Sequence, residues 1–176
     1  MEQLVSSTEE IYWVAREFFS LLESFLQDTR PLYDCLGKLL SEEGSLVTHL
    51  ESCGGVKSLH FLQLWTRAFA GVFQPSLLAR LWDKLIAGSR VVLAYVLASA
   101  LFRCRTEVMA AHTQDEIVEI ISTMKEDRQE VVLNAALELW EGDGCPLQGA
   151  GSGQDVNASH VNSSIDSRLS LEIKVD

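Results

Sequence analysis

The chain has 176 residues, the length of one domain, and 47% of them are hydrophobic, which is enough to bury a core. Its 25 acidic residues outnumber its 14 basic residues, and the net charge of −11 argues against nucleic acid as a partner, because phosphate backbones are bound by clustered lysine and arginine. The start of the sequence shows no secretory signal, and the longest apolar run, residues 91–102, is too short to span a bilayer. We therefore expect a cytoplasmic protein with no transmembrane segment.

The first part of the chain shows helical periodicity throughout. A capping box, Ser-Thr-Glu-Glu at residues 7–10, starts the first helix. That helix carries more large apolar side chains than one stripe can hold, so we expect burial on more than one side. A second helix follows at 31–40, a short helical turn covers 46–53, and a further helix runs from 58 to 69. The predicted stripe of the first helix is Ile11, Val14, Ala15, Phe18, Leu22, Phe25 and Leu26, with Tyr12, Trp13, Phe19 and Leu21 outside it.

The clearest helix of the chain is residues 75–88. It begins with proline, which suits a first helical turn, and it stops at glycine, which suits the residue after a last turn. Residues 91–102 are apolar at every position except one serine, which predicts a fully buried central helix. A second capping box at 113–116 and a last helix at 128–140 complete an all-α fold. The predicted inward stripes are Leu77, Leu78, Leu81, Trp82, Leu85 and Ile86 on the helix after Pro75, and Val131, Val132, Ala135, Leu139 and Trp140 on the last helix.

The composition changes after Glu141. Residues 142–153 hold five glycines, and the rest of the chain is rich in serine, asparagine and aspartate. A segment with so few large apolar side chains does not bury enough surface to offset the entropy lost on ordering. The sequence therefore predicts one folded unit over residues 1–147 and a disordered tail over residues 148–176. Residues 169–175 alternate apolar and polar side chains, so a short strand induced by a partner is the alternative there.

The residue types that carry chemistry form no recognisable motif. The four cysteines include no Cys-x-x-Cys pair, and none of the four histidines stands at zinc-ligand spacing from them. Phosphate-binding, dinucleotide-binding and nucleophile-turn motifs are also missing from the sequence. We predict no catalytic residue, no metal ligand and no cofactor, and we expect structural thiols and histidines, with metal or redox work as the alternative. These side chains are Cys35, Cys53, Cys104, Cys145, His49, His60, His112 and His160.

A scattered set of residues resembles a known family. The pattern resembles the later half of a TBC domain, which is the helical fold of the GTPase-activating proteins for Rab GTPases. It consists of Trp65, Phe69, Pro75, the run Arg-Leu-Trp-Asp-Lys-Leu at 80–85, and Gly88. The resemblance covers about residues 8–147. In more detail, the sequence resembles the branch of the family that is found in the tuberous sclerosis complex together with hamartin and tuberin. The segments that carry this closer resemblance are 12–13, 46–50, 70–71, 82–84, 88–89, 108–110 and 137–140.

The resemblance implies the fold of the later half of a TBC domain and structural roles for Trp65, Phe69, Trp82, Asp83 and Gly88. Family members supply an arginine finger from Ile-x-x-Asp-x-x-Arg and a glutamine finger from Tyr-x-Gln. In this sequence no aspartate has arginine three positions on, and no tyrosine has glutamine two positions on. An arginine finger is worth about 10³–10⁵ in rate, so we expect a protein that does not catalyse GTP hydrolysis.

The leading hypothesis is a non-catalytic module that binds an amphipathic helix. By resemblance, the partner is the coiled coil of hamartin, and the function is negative regulation of mTOR signalling in the cytoplasm, on lysosomes or vesicles. The predicted contact residues are Tyr12, Trp13 and Phe19, which widen the apolar face of the first helix. One alternative is an activator of a Rab GTPase or Rheb whose finger residues lie upstream of Met1. The other alternative is a fragment that has no function of its own.

Overall fold

The computed structural model describes residues 8–57, 59–87 and 89–144. The first capping serine, Gly88, Cys145, and the predicted boundary between folded unit and tail lie outside these residues. Nine α-helices follow one another within them, which confirms the predicted all-α class, and none of these helices is long and apolar enough to cross a membrane. The helices are α1 (Thr8–Leu26), α2 (Arg30–Leu40), α3 (Gly44–Ser52), α4 (Leu59–Thr66), α5 (Pro75–Ile86), α6 (Val92–Arg103), α7 (Arg105–Ala110), α8 (Gln114–Ser122) and α9 (Glu126–Gly142).

Helix α6 is the centre of the core, as its apolar run predicts. All ten residues from Val92 to Leu101 are buried. A helix that is apolar on every side needs neighbours on every side. Helices α9 and α2 supply most of these contacts, and α5 and α7 also pack against α6.

The fourth helix ends earlier than its pattern predicts. Helix α4 stops at Thr66, and the next residues turn through left-handed backbone, with φ of 43° at Ala68 and 59° at Phe69. Non-glycine residues rarely adopt such angles, so tertiary contacts must hold this turn. On this helix Phe61, Leu64 and Trp65 are buried, while Leu62 is only partly so.

Helix α5 buries half of its predicted stripe. Leu77, Leu81 and Leu85 are buried against α6 and α9. Trp82 is half-buried, and Ile86 is 60% exposed. The stripe was therefore predicted too wide, because the core covers only one side of α5 and the other side faces an open groove.

The last helices show where local pattern misses tertiary packing. Helix α7, a short helix beginning after Cys104, was not predicted. Helix α9 begins at Glu126, before the predicted start, and its buried face is rotated: Val131 is 40% exposed, whereas Leu133 is buried. Apolar side chains surround much of this helix, so contact with α5 and α6 selects the face. The buried apolar residues of α9 are Val132, Leu133, Ala136, Leu137 and Trp140.

Candidate partner-binding groove

An apolar groove of about 560 Å³ lies between α1 and α5. Its lining residues recur at three- and four-residue steps on both helices, so each wall is one continuous helical stripe. Most of the lining side chains are apolar, and the two charged ones are both acidic. Helix α1 contributes Trp13, Val14, Glu17, Phe18 and Leu21, and α5 contributes Pro75, Leu78, Ala79, Trp82, Asp83 and Ile86.

Two aromatic rings form the floor of the groove where its walls meet. The ring of Phe18, which is only 5% exposed, lies 4.7 Å from the ring of Trp82, measured between centroids. The indole Nε1 of Trp82 also donates a hydrogen bond to the carbonyl oxygen of Ala68 at 3.1 Å. Ring contact and hydrogen bond together fix the orientation of the indole. The floor is therefore preformed.

The rim of the groove exposes large apolar side chains. Tyr12 is 61% exposed, Trp13 48% and Phe19 60%. The expectation that α1 is buried on more than one side is therefore wrong for this chain, because no described element covers its outer face. Trp13 lines the groove, whereas Tyr12 and Phe19 flank it and contact Trp13 and Phe18 edge-on. Contiguous exposed apolar side chains of this kind mark association sites.

The residues predicted to be structural divide between core and groove. Trp65 is fully buried and donates from Nε1 to the carbonyl oxygen of Leu93 at 3.2 Å. Phe69 is also fully buried. Trp82 and Asp83 instead line the groove, and Asp83 is exposed.

Several groove residues were not predicted as contact residues. Leu78 and Ile86 were placed in the core, and Glu17 was not singled out. The missed signal was the breadth of the α5 stripe: six large apolar side chains on one helix exceed what one packed face requires. A second packing surface was therefore to be expected on this helix.

None of the cysteines and histidines that the structure describes lines the groove. Burial raises the pKa of the Cys35 thiol to about 11 and also raises the pKa of Cys104, which keeps both thiols protonated. Cys104 is buried, whereas Cys35 and Cys53 are only partly buried. The Nε2 atom of His49 lies 2.9 Å from the Val108 carbonyl oxygen and 3.7 Å from the Cys53 sulfur. Within the described ranges, no three His, Cys, Asp or Glu side chains cluster as metal ligands would.

An apolar groove between two helices is the kind of surface used in helix-in-groove recognition. Comparison with known proteins defines the family. The sequence model of the Rab-GTPase-TBC domain family matches residues 3–109, a range that includes the whole groove. The chain therefore belongs to the Rab-GTPase-TBC domain family. The resemblance to the TBC domain family seen in the sequence is thereby confirmed.

The chain is also similar to several TBC proteins along most of its length. TBC1 domain family member 7 from Homo sapiens is 30% identical over 142 residues, covering 80% of this chain and 48% of that protein. The proteins of the same name from Danio rerio and Xenopus tropicalis are 30% and 28% identical over the same coverage. The chain therefore spans about half the length of these relatives.

Proposed function

We propose that this chain is a non-catalytic TBC module that binds an amphipathic helix in the groove between α1 and α5, and that the coiled coil of hamartin is its partner. The observation that carries the proposal is the groove itself, which is open, apolar and floored by two fixed rings. Helix-in-groove recognition needs an apolar channel that accepts side chains at three- and four-residue steps. The groove supplies such a channel.

The dimensions of the groove support a helical occupant. Its α5 wall runs from Pro75 to Ile86, and at a rise of about 1.5 Å per residue this wall is roughly 16 Å long. That length matches about three helical turns, which present about four anchor side chains. Burial of the exposed Trp13 and Ile86 would supply most of the binding free energy. Attachment through apolar burial persists at high salt, unlike attachment through surface charge.

The cellular role follows from the family resemblance and belongs to the same proposal. A hamartin-binding TBC module would act within the tuberous sclerosis complex and contribute to negative regulation of mTOR signalling. It would work in the cytoplasm, at the surface of lysosomes or vesicles. The similarity to TBC1 domain family member 7 supports this role, and the absence of both finger motifs from the sequence supports a non-catalytic one.

The second candidate function is activation of a Rab GTPase or Rheb. The match to the Rab-GTPase-TBC domain model favours it, as does the fact that the chain spans about half of its relatives. In that case the finger residues would be supplied by sequence upstream of Met1. The two candidate functions are tested by separate assays: binding of a helix is measured by a pull-down, and activation is measured as the rate of GTP hydrolysis.

The test of the helix-binding proposal is a pull-down of the full chain with the hamartin coiled coil at low and high salt. Val14→Asp places a charge in the groove, and Val131→Asp is its matched control, because Val14 is 42% and Val131 40% exposed. Ile86→Asp tests the opposite wall, and Phe19→Asp tests the flanking apolar patch. Circular dichroism and a thermal melt check that every variant is folded.

The expected result is retention at both salt concentrations, loss with Val14→Asp and Ile86→Asp, weakening with Phe19→Asp, and full binding by Val131→Asp. Binding that survives both groove substitutions would place the partner elsewhere and overturn the assignment of the groove. A folded, monodisperse chain that does not bind the coiled coil would overturn the proposed partner.

A further inference from the structure

We infer that Glu17 and Asp83 select the occupant of the groove: an amphipathic helix whose apolar stripe is flanked on both sides by lysine or arginine. This inference rests on the proposed function, because it concerns the same groove. It adds the chemistry by which the groove distinguishes one amphipathic helix from another.

The two carboxylates stand on opposite walls of the groove. Glu17 belongs to α1 and Asp83 to α5, and the other lining side chains carry no charge. Both residues are exposed, and no ion pair joins either carboxylate to another described residue. An apolar helix lying between them would have an acidic group beside each edge of its stripe.

The basic side chains of α5 are engaged on the other side of the helix. Arg80 donates from Nη2 to Asn134 Oδ1 at 2.9 Å. The Lys84 ammonium lies 3.3 Å from Glu141 Oε1, so it is paired with α9. Both bases therefore bind α9. Asp83 lies on the border between the groove and the cleft toward α9 that these bases also line, and its carboxylate forms no ion pair with either of them.

Helix α1 adds negative charge on its own. It carries four glutamates, at positions 9, 10, 17 and 23, and one base, Arg16. The Arg16 guanidinium stacks 5.1 Å from the centroid of the Trp13 ring and does not line the groove. The net charge of −11 disfavours a second copy of this chain as the occupant, because two such copies repel each other.

Helix geometry explains why flanking bases would fit. On an amphipathic helix, the positions beside an apolar a/d stripe are e and g, which carry the charges that choose a partner. Lysine and arginine at these positions also lay their apolar stems along the groove wall while the charged ends reach the carboxylates. Glutamate at these positions would be repelled by both walls, which gives specificity against acidic helices.

The test uses three designed helical peptides, about three heptads long, that share one apolar stripe and carry Lys, Gln or Glu at the flanking positions. Their affinities for the full chain are measured by fluorescence anisotropy at low and high salt. The double variant Glu17→Gln with Asp83→Asn is compared with Asp127→Asn with Glu130→Gln, which makes the same charge change at exposed positions of α9 outside the groove. Val14→Asp reports whether the peptides occupy the groove.

We expect the Lys peptide to bind more tightly than the Gln peptide, and the Gln peptide more tightly than the Glu peptide. Each carboxylate should contribute about 1.4- to 5-fold to the preference for the Lys peptide, as exposed ion pairs do. The preference should shrink at high salt, because exposed pairs are screened. It should vanish in the groove double variant and persist in the α9 control.

Each other outcome overturns one of the two proposals. Equal affinity for the three peptides, with loss in Val14→Asp, would remove the carboxylate selection and leave the helix-binding groove standing. A preference for the Lys peptide that survives in the groove double variant would also overturn selection by Glu17 and Asp83. Groove-dependent dimerisation of the chain alone would overturn it as well. Charge-selective binding of the Lys peptide without binding of the hamartin coiled coil would retain the selection and overturn the proposed partner.

Discussion

Trp82 donates the hydrogen of its indole Nε1 to the carbonyl oxygen of Ala68 at a distance of 3.1 Å. Ala68 and Phe69 stand in left-handed backbone, so the acceptor belongs to the strained turn that follows α4. The other side of the indole forms the floor of the groove against Phe18. One half-buried side chain thus contacts both the turn and the groove.

The first prediction separates these two contributions of Trp82. Trp82→Ala should lower the free energy of unfolding by about 2–3 kcal/mol, below the range for a fully buried tryptophan, because the side chain is half-buried. Trp82→Phe keeps an aromatic ring in place and loses the hydrogen bond, so it should cost about 1 kcal/mol. Urea denaturation at neutral pH measures both values.

Ile86→Ala is the control for the Trp82 series. Ile86 also lines the groove but is 60% exposed, so its truncation should change the free energy of unfolding by less than about 0.5 kcal/mol. A Trp82→Ala change as small as that of Ile86→Ala would show that the indole does not support the turn.

The second prediction concerns stability at alkaline pH. Burial raises the pKa of Cys35 from 9.0 to about 11, so the folded thiol stays neutral where the unfolded thiol ionises. The neutral thiol contributes about 2.7 kcal/mol to the free energy of unfolding. This contribution is fully present below about pH 9 and is lost as the pH rises through about 11.

Urea denaturation of wild type and Cys35→Ala under reducing conditions tests this contribution. The difference in unfolding free energy between the two proteins at neutral pH reports the effect of the substitution on packing, and it is subtracted first. Wild type should then lose about 2 kcal/mol more than Cys35→Ala between about pH 8 and about pH 10.5. Burial also raises the pKa of Tyr33, Tyr95 and Cys104, so both proteins should lose stability in the same direction. Parallel curves for the two proteins would contradict the prediction.

The third prediction concerns the end of α9. The hydroxyl of Tyr95, on the central helix α6, donates to Asp143 Oδ2 at 2.7 Å, just after the last residue of α9. Tyr95→Phe should lower the free energy of unfolding by about 1.5–3 kcal/mol, as expected for a hydrogen bond to a charged group. Amide exchange should accelerate in the last turn of α9. Tyr33→Phe removes another tyrosine hydroxyl on α2 and should leave that exchange unchanged; equal effects of the two variants would count against the anchor.

The fourth prediction distinguishes the two candidate functions. Added to GTP-loaded Rab proteins or to Rheb, the chain should leave the rate of hydrolysis at its intrinsic value, because its sequence contains neither finger motif. A rise of about a hundredfold or more with any of these GTPases would favour the activator. Arg67→Ala and Arg80→Ala, at exposed arginines, would then identify the residue responsible.

Local sequence patterns predicted the features that depend on neighbouring residues. The central helix was read from an unbroken apolar run, and α6 is buried from Val92 to Leu101. The N-terminal cap of α8 was predicted from the capping box at residues 113–116. In the structure the Glu116 amide donates to Thr113 Oγ1 at 3.3 Å, as predicted. The reciprocal bond of that cap differs, because the Glu116 carboxylate accepts from the amide of His112 rather than from that of Thr113.

The sequence by itself determined the helical class, the order of most helices, the buried centre and the family, because each of these depends on short-range periodicity or on recognisable residues. Only the tertiary structure decided which face of each helix is covered. Val131 and Leu133 both lie on α9, and of these two apolar side chains packing buries only Leu133. Likewise the groove exists because Phe18 meets Trp82 while Trp13 and Ile86 remain exposed. A helix with apolar side chains on several sides does not specify its neighbours, and those neighbours come from distant parts of the chain.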